Sequence, residues 1–134
     1  ELRHNVTLYY EREDDVYIKG NLTELSQVFI NLVMNATQAV EKGGVVSIKT
    51  EKLHDSVKIH VADNGCGISP EHLPKLFQPF FTTKEVGSGT GLGLAISHGI
   101  IENHNGSISV QSKEGVGTTF TIELPLADSQ AMAG

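Results

Sequence analysis

Glu24, Gln27, Asn31, Asn35 and Gln38 recur at steps of three and four residues, so a helix would carry all five on one face. Asn is a poor mid-helix residue, at up to about 0.7 kcal/mol less favourable than Ala, and two on one face ask for a reason. A neutral amide oxygen suits a hard cation such as magnesium, which keeps several waters and shares substrate phosphates. A solvated polar face explains the same pattern equally well when it is taken alone. Further on, Asp63-Asn64-Gly65-Cys66-Gly67-Ile68 stands where an apolar run ends and a glycine turn lets backbone approach a ligand. A carboxylate there accepts a hydrogen bond from the exocyclic amine of adenine and opposes the carbonyl oxygen that guanine would place at that point. Such a charge-assisted bond is worth roughly 1.5 to 3 kcal/mol. In isolation the segment reads better as a plain Asp-Asn-Gly turn.

Two more clusters follow. Gly87-Ser88-Gly89-Thr90-Gly91-Leu92-Gly93-Leu94 leads into an apolar helix whose first amides can hold phosphate oxygens. It is neither a P-loop, lacking Gly-Lys-Ser/Thr, nor a dinucleotide fingerprint, whose glycine spacing and preceding strand it lacks. A flexible linker would not continue into Leu94, Ala95, Ile96, Ile100 and Ile101. Phe77-Gln78-Pro79-Phe80-Phe81-Thr82-Thr83-Lys84 joins three aromatics to a lysine that can reach a phosphate as a compact charge.

The elements that must position these residues are legible from periodicity. Val6, Leu8 and Tyr10 alternate with polar residues, as do Val16 and Ile18, so the start reads as a hairpin. A helix begins at Asn21, with Asn21 or Thr23 as cap, and runs to Gly43-Gly44 with an apolar stripe of Leu25, Val28, Phe29, Leu32, Val33, Ala36 and Val40. Val46-Ile48-Thr50 and Val57-Ile59-Val61 form a second hairpin through His54-Asp55-Ser56 and deliver the chain to Asp63. A short helix is expected over 70–76 after Ser69, then an aperiodic mobile loop over 78–90. A second long helix should start near Gly91 and end between Asn103 and Gly106. Strands on Ile108-Val110 and Phe120-Ile122-Leu124 follow, turned by Gly115 and Gly117.

The totals bound the reading. A chain of 134 residues fits one domain and can bury roughly two thirds of its unfolded surface. Hydrophobic residues at 39% and charged residues at 19% are ordinary for a globular protein. The net charge of -6 argues against a nucleic-acid partner. The single cysteine, Cys66, excludes an internal disulfide and suits a reducing interior. No apolar run approaches the ~18 residues of a membrane span, so no direct membrane contact is expected of this piece. One domain over 1–126 is expected, and 127–134 reads as a frayed, disordered end or a cloning scar.

In order and spacing these clusters resemble, over about residues 5 to 126, the catalytic and ATP-binding domain of sensor histidine kinases. Gln27 through Ala39 is similar to that family's asparagine box, Asp63 to Gly67 to its first glycine box, Phe77 to Lys84 to its phenylalanine box, and Gly89 to Leu94 to its second glycine box. Gly115, Gly117 and Thr118 resemble the last box. The resemblance implies an α/β two-layer sandwich of the Bergerat type, with about three helices packed on a mixed, mostly antiparallel sheet of about five strands. It implies ATP and Mg²⁺ as ligands, with Asn35 on the metal and Asn31 and Lys84 as the other catalytic groups near the phosphates. Asp63 would hold adenine, supported by Thr118, with Ala39, Gly65, Gly67, Ile68, Phe80, Gly89, Thr90, Gly91, Leu92, Gly93 and Leu94 completing the nucleotide cleft.

The wider superfamily of gyrases, heat-shock chaperones and mismatch-repair ATPases hydrolyses ATP with a glutamate four residues before the magnesium asparagine. Asn31 stands at that position here, and an amide cannot take a proton from water. Phosphoryl transfer to a side chain is therefore expected over hydrolysis. The partners implied are a histidine-containing dimerisation domain of the parent protein and, through it, a response regulator, in the cytoplasm and with membrane anchoring of a longer parent left open. None of the six histidines fits the phospho-acceptor pattern; His98 and His104 read as structural. A nucleotide-sensing module without transfer, or a superfamily ATPase, stand as the alternatives.

Overall fold

The computed structural model describes residues 7–11, 17–40, 44–78 and 93–127, with backbone alone over 7–11. Strand β1 (Thr7–Glu11) precedes helix α1 (Leu22–Ala39), the hairpin of β2 (Val45–Lys52) and β3 (Ser56–Asp63), and a 3-10 turn at Leu73–Lys75. Helix α2 (Gly93–Asn103) and the hairpin of β4 (Ser107–Lys113) and β5 (Gly117–Pro125) follow. One sheet has the order β1-β2-β3-β5-β4, and both α-helices pack on one of its faces. The two-layer α/β arrangement is the one the resemblance implies.

Three expectations are corrected. Among the described residues the opening segment forms no hairpin: β1 runs parallel to β2, with Thr7 opposite Val45 and Glu11 opposite Lys49. Parallel neighbours need a crossover of a dozen or more residues, and α1 supplies it. The third helix shrinks to a 3-10 turn because Pro74 has no N–H to donate back to residue 70. What remains are three-residue bonds, from Lys75 N–H to His72 O at 3.0 Å and from Leu76 N–H to Leu73 O at 3.4 Å. Helix α1 stops at Ala39, short of Gly43-Gly44, since Val40 is already extended and the Ala39 carbonyl accepts from Cys66 N–H at 3.2 Å.

The remaining ends follow their local chemistry. Asn21 is the cap of α1, its Oδ1 accepting from Glu24 N–H at 2.9 Å. Asn105 ends α2 at φ 62°, with Asn105 N–H reaching Glu102 O and Gly106 N–H reaching Ile101 O, both at 3.0 Å. That is the pair of bonds by which a left-handed residue closes a helix. His104 ties the two helices: its Nδ1 donates to Ile100 O at 2.8 Å while its Nε2 accepts from Asn21 N–H at 3.0 Å, so the ring proton sits on Nδ1.

Alternation stacks the core in rows across three strands. Val61, Phe120 and Val110 are in register, as are Ile59, Ile122 and Ile108, and Val57 pairs with Leu124. Val28, Leu32 and Ile101 cover these rows with no exposed surface. Burial of each such side chain contributes about 1.5–3 kcal/mol. The next row along β3, β5 and β4 is Asp63, Thr118 and Ser112. The same alternation that builds the core thus turns polar at one end of the helix-facing side.

Candidate functional site

That polar row is a connected hydrogen-bond set. Asp63, half-buried at the end of β3, accepts from Gly65 N–H at 2.8 Å and from the backbone N–H of Thr118. Burial nevertheless raises its pKa above the ordinary carboxylate value, and the two backbone donors offset only part of that shift. A carboxylate placed against its own protonation preference is a functional candidate. The loop after it is held on both sides. Asn64 Oδ1 accepts from Val45 N–H at 2.8 Å, Cys66 O accepts from Gly115 N–H at 2.7 Å, and Ile68 N–H donates to Ser112 Oγ at 2.8 Å.

Gly67 sits at φ +75°, and a Cβ there would strike the backbone of Lys113 and come within 2.8 Å of Glu114 Cα. Gly65 lies so close to the end of α1 that a Cβ would be 2.6 Å from the Ala39 carbonyl carbon. The turn is therefore clamped between the helix and the β4–β5 hairpin.

The second half of the site lies on α1. Asn31 donates from Nδ2 to Ser97 Oγ of α2 at 3.1 Å, and Ser97 is 1% exposed. This bond turns the Asn31 carbonyl oxygen away from Ser97, where it is available as a neutral ligand. Gly93 passes so near that a Cβ would lie 2.6 Å from both polar atoms of the Asn31 amide. Asn35 follows one turn later on the same face. A groove of about 670 Å³ runs beside Asn31 and is lined by Gln27, Ile30, Met34, Gly93 and Ser97 among others, with no charged side chain among the described residues. Asp63 and Asn35 are not part of its wall, so the groove marks the helix end of the site and not the whole of it. In a chain of net charge -6, an uncharged trough avoids repelling a polyphosphate. Amide oxygens without carboxylates suit magnesium that arrives with phosphate ligands, and among the described residues no cluster of three or more His, Cys, Asp or Glu could hold a metal alone.

The structure brings Asp63, Gly65, Gly67, Ile68 and Thr118 together at one end, joined to Ala39 through Cys66, and Asn31 and Gly93 at the other. Leu94, in the first turn of α2, packs against the core. Phe80, Lys84, Gly89, Thr90, Gly91 and Leu92, with the expected loop over 78–90, fall outside the described residues except at residue 78. Phe77 serves the core, its ring 6.4 Å from that of Phe120 and 5.2 Å from that of His98. Sequence reasoning missed Ser112 and Ser97. Each is a polar residue at an inward position, after Ile108-Val110 on β4 and one turn before Ile101 on α2, and that interruption was the available signal.

Residues 20–128 match the family described as histidine kinase-, DNA gyrase B- and HSP90-like ATPase. The chain is 47% identical over 109 residues to the sensor histidine kinase ZraS of Escherichia coli (strain K12), an alignment covering 81% of this chain and 23% of that protein. It is 46% identical over 116 residues to sporulation kinase A of Bacillus subtilis (strain 168), covering 87% and 19%. It thus spans about a quarter or less of these two relatives. The fold matches the catalytic domain of histidine kinase ThkA with a TM-score of 0.83 at 36% identity, covering 93% of this chain and 83% of that one. A second ThkA structure, solved in complex with the response regulator protein TrrA, matches at 0.77 and 34% over 92% and 35%. By sequence and fold, the chain belongs to the histidine kinase-, DNA gyrase B- and HSP90-like ATPase family, as a histidine kinase catalytic domain.

Proposed function

We propose that the chain binds Mg-ATP with the adenine amine on Asp63 and the phosphates along Asn31 and Asn35, and presents the γ-phosphate to a histidine supplied by a dimerisation domain of its parent. The observation that carries this is the half-buried carboxylate of Asp63, fixed by two backbone donors at the end of the otherwise apolar inward face of β3. Magnesium, when bound, neutralises phosphate charge, and Asn35 is the residue that would hold it. Asn31, oriented by Ser97, offers an oxygen that can ligate or accept but cannot act as a base toward water. The chain's contribution is then positioning and charge neutralisation for in-line attack, with Lys84 as a further phosphate contact. Thr118 supports the base, and Ala39, Gly65, Gly67, Ile68, Phe80, Gly89, Thr90, Gly91, Leu92, Gly93 and Leu94 complete the cleft.

The phosphorylated histidine would hand its phosphoryl group to a response regulator, and the reaction is placed in the cytoplasm. No helix among the described residues is long and apolar enough to cross a membrane. The test is transfer itself: ATP labelled at the γ-phosphate, mixed with this chain and a helical histidine domain of its parent, should label that domain. A nucleotide-sensing module would leave it unlabelled, and an ATPase would release free phosphate steadily without it.

A further inference from the structure

Ser112 sits at the outer end of the polar row, and its three contacts are all satisfied by one arrangement of protons. Its Oγ accepts from Ile68 N–H at 2.8 Å, lies 3.0 Å from Gly117 O as a donor, and lies 2.8 Å from Thr118 Oγ1. A serine hydroxyl has one proton. The Gly117 carbonyl can only accept, so all three contacts are hydrogen bonds when Ser112 donates to Gly117 O and Thr118 donates to Ser112. The Thr118 hydroxyl, 5% exposed, therefore points its proton along the row toward Ser112 and turns lone pairs to its other side. Asp63 is the cross-strand partner of Thr118 on that other side.

We infer that Ser112 is a specificity-determining residue of the purine end: by holding the Thr118 proton it leaves two acceptors, Asp63 and Thr118 Oγ1, facing the base edge, so that a 6-amino purine is favoured over a 6-oxo one. The inference rests on Asp63 being the base contact. A carboxylate alone disfavours an oxo group, but a neighbouring hydroxyl free to rotate would offer that oxygen a donor and soften the rejection. Ser112 removes that freedom without touching the nucleotide. It acts through Thr118, so the effect of losing it must fall on discrimination and not on affinity in general.

The experiment compares Mg-ATP with Mg-ITP, which differs from it in the 6-oxo base, by titration calorimetry on this chain. Ser112→Ala should lower the ratio of ATP to ITP affinity about fivefold, the worth of one neutral hydrogen bond, mainly by improving ITP. Ser112→Thr keeps the hydroxyl and should keep the original ratio. Should Ser112→Ala fold poorly, Ser112→Cys preserves the volume while offering only a weak acceptor, and should shift the ratio the same way. A ratio unchanged within about twofold in both replacements, with the two nucleotides weakened equally, would overturn the inference, as would a Ser112→Thr chain that behaves like Ser112→Ala. If Asp63→Asn leaves ATP affinity unchanged, the base contact itself is wrong, an outcome separable from an unmoved ratio, and the inference goes with it.

Discussion

The two ends of the cleft are built on different principles. At the sheet end, Asp63, Thr118 and Ser112 are aligned by strand register, and the turn over 64–68 is tied through Asn64, Cys66 and Ile68 to β2, α1 and the β4–β5 hairpin and through Gly65 N–H to Asp63 itself. At the helix end, Asn31 and Asn35 share one face of α1; Asn31 lines a groove without charged side chains among the described residues and is oriented by the one bond it donates to a neighbouring helix. Under the proposed function, register fixes directions, so the sheet end would discriminate between bases before any ligand arrives. Helical spacing fixes only a face, so the helix end would become specific when phosphates bring a cation. Recognition and chemistry would then fall to the register-fixed and the ligand-completed halves respectively.

The sharpest way to break this contrast is at Asp63. Asp63→Asn keeps one oxygen for the backbone donors but loses the charge, and ATP affinity in calorimetry should fall about 10- to 100-fold. Its thermal stability without nucleotide should stay within about 1 kcal/mol of the parent chain. The pH dependence has a definite sign. Because burial raises the folded pKa, the folded chain binds this proton more readily than the unfolded one. The stability linked to Asp63 is therefore greatest in acid, below its ordinary value, and falls as pH rises through the folded value. Denaturation of the parent and Asp63→Asn chains across that window should show the parent losing ground as pH rises; a loss on acidification would contradict the account.

At the other end, Asn35→Ala should remove the advantage that magnesium gives, so that ATP affinities with magnesium and with chelator converge to within roughly threefold. An undiminished magnesium effect would place the metal elsewhere. Gly65→Ala tests the clamp between the ends: its Cβ meets the Ala39 backbone, and urea unfolding should show a loss of about 1–3 kcal/mol. The smallest effect is expected of Ser97→Ala, which frees the Asn31 amide. Phosphotransfer should drop about two- to tenfold with ATP affinity nearly unchanged, and the same replacement in an Asn31→Ala background should do nothing further.

How far the sequence went follows the same division. The stripe of α1 and the inward residues of β2, β3 and β5 were legible because one apolar face repeats at a fixed period. Asp63 was legible as a carboxylate ending such a run. The parallel pairing of β1 was not, since alternation marks a strand but not its neighbour, and the decision was made by α1 lying between β1 and β2. Pro74 in the segment after Ser69 was visible, but how much one missing N–H matters depends on the helix's length, and in a segment this short it leaves only three-residue bonds. Ser97 and Ser112 escaped because their partners, Asn31 and Thr118, lie 66 and 6 residues away and are brought near by helix crossing and a hairpin.

The most direct test is a crystal of this chain grown with magnesium and a non-hydrolysable ATP analogue. The account predicts the adenine amine within hydrogen-bond distance of the Asp63 carboxylate, phosphates along α1, and a metal that Asn35 would hold. A base seated away from β3, or a cation with no ligand from α1, would contradict it.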